Sequence, residues 1–91
     1  MSNSLSELSE IYYFYPKLWK NINMEVFVKR LKELRKEKGL TLVQLEKATG
    51  LSKSTINEWE NGKRLPNAQA IVTLAIFFEV TADYLLGLSD I

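Results

Sequence analysis

The sequence predicts an all-α fold of five short helices, and three observations carry that reading. First, four glycines, Gly39, Gly50, Gly62 and Gly87, each close a stretch of helical periodicity, where a left-handed residue stops a helix. Second, polar N-cap candidates stand between or just after them, at Thr41, Ser52, Asn67 and Thr81. Third, no segment alternates apolar and polar residues with period two between turn dipeptides, so strand signals are missing. The length of 91 residues is that of one domain. With no Cys and no His, the chain forgoes disulfides and zinc, so the core alone must hold the fold.

The first helix is expected over residues 25–38. Phe27, Leu31 and Leu34 stand at i, i+4 and i+7, one apolar stripe along its length. The second, over 42–49, starts behind Thr41, with Gln44 three residues later in a capping-box pattern. The third spans 53–61 behind Ser52. The fourth, over 68–79 behind Asn67, is apolar nearly all round. Ile71, Leu74, Ala75 and Phe78 form one face, and Val72, Ile76 and Phe77 are left over. A helix apolar on both sides is buried on both sides. That makes Val72, Ile76 and Phe77 candidates for a dimer surface or a seat for another part of the chain. The fifth helix is short, over 82–86.

Residues 1–24 differ in kind and read as an extension of the domain at 25–91. Leu5, Leu8 and Ile11 or Tyr12 are spaced for a short helix behind Ser4 that ends before Pro16. The extension holds half of the ten aromatics: Tyr12, Tyr13, Phe14, Tyr15 and Trp19. Tyr12, Phe14 and Trp19 are its contact candidates, as a packing element, a dimer arm, or a ligand or protein-partner site, and an extension with no role is the remaining reading.

The net charge of +1 conceals a polarity. Residues 25–66 carry ten Lys or Arg against six Asp or Glu, and residues 67–91 carry none against three. A positive middle beside a negative end points to two faces with different partners. The composition excludes other classes. Without His or Cys, a Gly-rich phosphate loop or a placed carboxylate pair, an enzyme is not expected, nor a cofactor or metal. No apolar run is long enough to span a bilayer, and no targeting signal is legible, so a cytoplasmic protein is expected.

Two helices joined by Gly50-Leu51-Ser52 have the form of a helix-turn-helix. On a wheel of 100° per residue, Lys53, Ser54, Asn57 and Glu58 share one arc of the second helix. Ile56, Trp59 and Glu60 fall on the opposite one. The helix therefore buries its apolar residues and offers a comb of donors and acceptors, the requirement for reading base edges in a major groove. A plain solvated face is the other reading of such a strip. Glu60, on the inward arc, needs a cation, and Arg35 beside the Leu31/Leu34 stripe is best placed to supply it. Asn61, Lys63 and Arg64 around Gly62 suit phosphate oxygens. So does the N-terminus of helix 42–49 at Thr41.

The stretch Gly39-Leu-Thr-(x)3-Leu45-(x)4-Gly50-Leu-Ser52-(x)3-Ile56-(x)2-Trp59-Glu60-Asn-Gly62-Lys-(x)2-Pro66, followed by Val80-Thr-Ala-Asp-Tyr-Leu-Leu-Gly87, resembles the Cro-like/XRE-like phage-repressor helix-turn-helix family. The resemblance covers about residues 25–88. It implies a five-helix, repressor-type domain in which Lys53, Ser54, Asn57 and Glu58 read bases. It further implies that Asn61, Lys63 and Arg64 hold phosphates, and it supports the Arg35–Glu60 pair. Two positions depart from the family. Leu42 stands where a glutamine is common, and Glu46 stands where the motif helices cross and a small residue is usual. A charged side chain at that crossing must swing out or find a cation.

The function expected from the residues and the resemblance is sequence-specific binding of double-stranded DNA by a transcriptional regulator, a homodimeric repressor on a pseudo-palindromic operator. An alternative is a protein-interaction module of the same fold, such as an antitoxin or an antagonist of another regulator. The aromatic arm and the apolar excess on 68–79 are its motivation.

Overall fold

Phe27 and Leu31 have no solvent exposure, and the first helix lies along the molecule with that stripe inward. The structure, a computed structural model, describes residues 24–91. Among these residues it consists of α1 (Met24–Glu37), α2 (Leu42–Thr49), α3 (Lys53–Glu60), α4 (Ala68–Phe78) and α5 (Ala82–Leu86), with no strand. Each helix agrees with its expected span to within one residue. The extension at 1–24, with the expected helix there and Tyr12, Phe14 and Trp19, lies outside the described residues apart from Met24, which opens α1.

Helix α1 packs on α3 and α5, α2 packs on α3 and α4, and α4 packs on α5. The shared core is Phe27, Leu31, Leu45, Ile56, Leu74 and Leu85, all without exposure, closed by Trp59, Ala70, Ile71 and Phe78. Each side chain of Leu or Phe size contributes about 1.5–3 kcal/mol by leaving water. Phe27 meets Trp59 edge to face, with centroids 6.4 Å apart. The Trp59 indole N–H is buried without a partner among the described residues.

The four expected N-caps all cap. Thr41, Ser52, Asn67 and Thr81 accept from the backbone N–H of Gln44, Thr55, Ala70 and Tyr84. Thr41 and Gln44 complete the capping box in both directions. Helix α4 has no glycine at its end, and Glu79 supplies the left-handed turn itself, at φ +57°. That conformation costs a residue with a Cβ about 1–2 kcal/mol. It lets the Val80 N–H reach back to the Ala75 carbonyl at 3.0 Å and turns Val80 onto the core. Gly87 ends α5 at φ +80°, and a Cβ there would lie 2.9 Å from Val26 Cγ1 on α1. This glycine is required twice, by its backbone and by its neighbour.

Arg30 ties the chain's last residues to α1. Its Nη1 donates to the Tyr84 carbonyl and, at 2.7 Å, to the Ser89 carbonyl. Its guanidinium lies 4.1 Å from the centroid of the Tyr84 ring. No helix among the described residues is long and apolar enough to cross a membrane. No group of His, Cys, Asp or Glu among them could hold a metal ion.

Candidate nucleic-acid interface

Helix α3 is short because its sequence punctuates it at both ends. Ser52 stands extended before it, and the Gly62 backbone (φ +68°) turns the chain away after it. Ile56, Trp59 and Glu60 are buried, at 0%, 3% and 5% exposure. Lys53, Ser54 and Asn57 are exposed, and Glu58 is half-buried. The helix is thus anchored on one side and carries four polar side chains on the other.

Two of those four are already engaged. The Asn61 Nδ2 donates to the Asn57 carbonyl at 2.8 Å and to Asn57 Oδ1 at 3.2 Å. Arg64 Nη1 stands 3.5 Å from Glu58 Oε1. With side chains 55% and 43% exposed, that pair adds little to stability. Together the two contacts gather Asn57, Glu58, Asn61 and Arg64 around the C-terminal half of α3. Lys63 is exposed, with its backbone N–H on the Glu58 carbonyl at 2.9 Å. Thr41 is exposed at the N-terminus of α2, where its hydroxyl oxygen already accepts from the Gln44 N–H at 3.1 Å.

Arg35 and Glu60 meet behind this surface. Arg35 Nε donates to Glu60 Oε2 at 2.6 Å, and Nη2 donates to Oε1 at 2.9 Å. The third nitrogen, Nη1, donates to the Leu40 carbonyl at 2.8 Å. The hydrogen bond to Glu60 raises the Arg35 pKa above its ordinary value, burial opposes that, and the Glu60 charge raises it further.

The helix-turn-helix family model matches residues 31–85, which contain the end of α1 and all of α2, α3 and α4. The chain belongs to the XRE-like helix-turn-helix family. Among its relatives is an uncharacterized HTH-type transcriptional regulator, YobD, of Bacillus subtilis, 37% identical over 65 residues, which are 71% of this chain and 58% of that one. The HTH-type transcriptional activator BcrR of Enterococcus faecalis is 40% identical over 61 residues, 67% of this chain and 30% of that one. A second B. subtilis regulator, YazB, is 39% identical over 61 residues, and there the match covers 88% of the relative. The match spans only 58% of YobD and 30% of BcrR, so those relatives extend beyond the matched residues. No solved structure matches.

Both departures from the family have a local explanation. Leu42 is half-buried and packs against the core. Glu46 neither swings out nor finds a cation, which corrects the expectation from sequence. It reaches across the turn to the N-terminus of α3, where its Oε2 accepts from the Lys53 backbone N–H at 2.9 Å. The first N–H groups of a helix have no partner within it and carry its positive end, so a carboxylate is stabilised there. The signal was present in the sequence: a carboxylate one turn before the end of one helix, with the next helix opening after a three-residue turn. Arg30 was also missed as a structural residue, because it stands in the interleaved charges of α1. Its position beside Leu31 and its planar guanidinium, among lysines, were the distinguishing signs.

The leftover apolar residues of α4 separate. Val72 is 54% exposed and Ile76 is 74% exposed, one turn apart on one face. Phe77 does not share it. The Phe77 ring packs edge to face on Phe78, with Lys38 Nζ 5.3 Å from its centroid.

Proposed function

We propose that the chain is a sequence-specific double-stranded-DNA-binding transcriptional regulator that works in the cytoplasm as a homodimeric repressor. The observation that carries this reading is the division of α3, with Ile56, Trp59 and Glu60 buried on one side and the polar side chains of Lys53, Ser54, Asn57 and Glu58 on the other. A helix so anchored can enter a major groove as a rigid reader. Family membership and the regulators among its relatives support the same reading.

By residue chemistry, Lys53 suits guanine O6 and N7, Asn57 suits adenine N6 and N7, and Glu58 suits the cytosine N4 amino group. Ser54 serves any of these edges. Asn61, Lys63 and Arg64 after α3, and Thr41 at the N-terminus of α2, take phosphates and fix the register. Val72 and Ile76 supply the surface on which a second copy meets the first. Two copies of α3 spaced by one DNA turn, about 34 Å, read inverted half-sites. A dimer seated there represses by occupying the operator.

The test is selection of bound sequences from a random duplex pool by the purified 91-residue protein at physiological salt. Recovery of two inverted half-sites is expected. A protein that enriches no motif, and that binds every duplex no better than competitor DNA, is not this regulator, and the weight passes to a protein partner.

A further inference from the structure

We propose that Glu46 is a specificity-determining positioning residue, one that fixes the first turn of α3 against α2 and so sets where Lys53 and Ser54 meet base edges. The inference rests on the reading of α3 as the base-reading helix. It concerns a residue on the other helix of the motif, at a position where the family usually has a small side chain.

The link between α2 and α3 is short, Gly50-Leu51-Ser52, with the Leu51 N–H donating to Thr49 Oγ1 at 3.2 Å within it, and two kinds of contact act directly between the helices. Leu45 and Ile56, both without exposure, provide apolar contact, which resists separation but has little directionality. The Glu46 carboxylate adds a directional bond across seven positions, at 2.9 Å to the Lys53 N–H. The other cap of α3 is weaker. The Ser52 hydroxyl lies 3.5 Å from the Thr55 N–H, near the outer limit of a hydrogen bond. Glu46 therefore supplies the shorter and charge-assisted hold on this helix end.

The amide that Glu46 holds belongs to Lys53, the first residue of α3, and Ser54 follows it. Recognition helices of this kind contact bases with their N-terminal residues, and functional side chains work within about 0.5 Å of their productive geometry. Freeing that turn displaces Lys53 and Ser54 most. Asn57, one turn further along and held by Asn61, is displaced least. Glu46 thus shapes the readout without being a base or phosphate contact itself.

The experiment compares wild type, Glu46→Gln and Glu46→Ala in the full chain, using the motif that wild type selects and random duplex as competitor. Glutamine keeps an oxygen able to accept from the Lys53 N–H, whereas alanine keeps only the small volume that the family accepts. Glu46→Ala is expected to lose about tenfold or more of its preference for the motif. The degeneracy should appear at the positions read by Lys53 and Ser54 and spare the one read by Asn57. Glu46→Gln is expected to retain most of the preference. The Lys53 amide proton, followed by NMR without DNA, should lose its protection from exchange in Glu46→Ala alone. The salt slope should be the same for all three, since no phosphate contact changes.

A merely structural role predicts another pattern: motif and random binding fall together with the melting temperature, the preference is unchanged, and the proposal is overturned. Equal loss in both variants with an altered salt slope overturns it too, assigning the effect to charge. If wild type selects no motif, the base-reading assignment fails and takes this inference with it. If wild type selects a motif and Glu46→Ala selects the same one equally well, this inference alone fails.

Discussion

Arg35 grips Glu60 with two nitrogens at once, at 2.6 and 2.9 Å, and so joins the helix that carries the core stripe to the helix that carries the polar comb. The side chains are 16% and 6% exposed, and neither charge would be tolerated alone at that depth. The raised Arg35 pKa keeps the guanidinium charged up to strongly alkaline pH, so the arginine's share of the pair is lost only above that range.

Removing one partner should therefore cost far more than removing both. Arg35→Ala or Glu60→Ala is expected to destabilise the domain by about 3–5 kcal/mol, whereas Arg35→Met with Glu60→Leu recovers most of that. Urea unfolding with a double-mutant cycle measures it. An unchanged urea midpoint in either single variant would refute the account.

Gly87 and Gly50 separate steric from conformational cost. Both have positive φ, but a Cβ meets Val26 only at Gly87, and at Gly50 nothing lies within 4 Å. Gly50→Ala is expected to cost about 1–2 kcal/mol for the backbone alone. Gly87→Ala should cost about 1–3 kcal/mol more by overpacking. Equal losses in thermal melts of the two variants would mean that Val26 yields without cost.

Asn57 and Lys63 should divide base reading from phosphate holding. Asn57→Ala is expected to lose about 1–3 kcal/mol on the selected motif and little on random DNA. Lys63→Ala should weaken binding to both and lower the salt slope by about one. Binding titrations across a salt series report both, and equal losses for Asn57→Ala on the two DNAs contradict its base-reading role.

The α4 face should matter for association and not for folding. Ile76 is 74% exposed, so Ile76→Glu is expected to leave stability within about 0.5 kcal/mol. The same change should shift sedimentation toward the monomer and weaken motif binding. A dimer that persists places the interface elsewhere.

Much of this was legible because helices are local objects. Their ends are decided by caps within four residues, so Thr41, Ser52, Asn67 and Thr81 could be read directly as starts. Phe27, Leu31, Ile56 and Trp59 could be read as core because the 3.6-residue period is written along the chain. Even the Arg35–Glu60 pair was within reach, because a carboxylate on an inward arc demands a cation and few were placed to supply one.

What sequence could not decide are relationships across space. Phe77 looked equivalent to Val72 and Ile76, but it packs on Phe78 beneath Lys38, a neighbour thirty-nine positions away that α1 brings there. Glu46 looked like an obstacle at a helix crossing, yet the position of the neighbouring N-terminus makes it a cap. Arg30 stands among the charges of α1, and only the fold brings the Ser89 carbonyl to it, fifty-nine positions away. Helix ends, inward faces, the Arg35–Glu60 pair and the family are thus written along the chain. The neighbours of Glu46, Arg30 and Phe77 are set by packing, because hydrogen bonds are directional and short, and a distant partner exists only once packing has put it within about 3 Å.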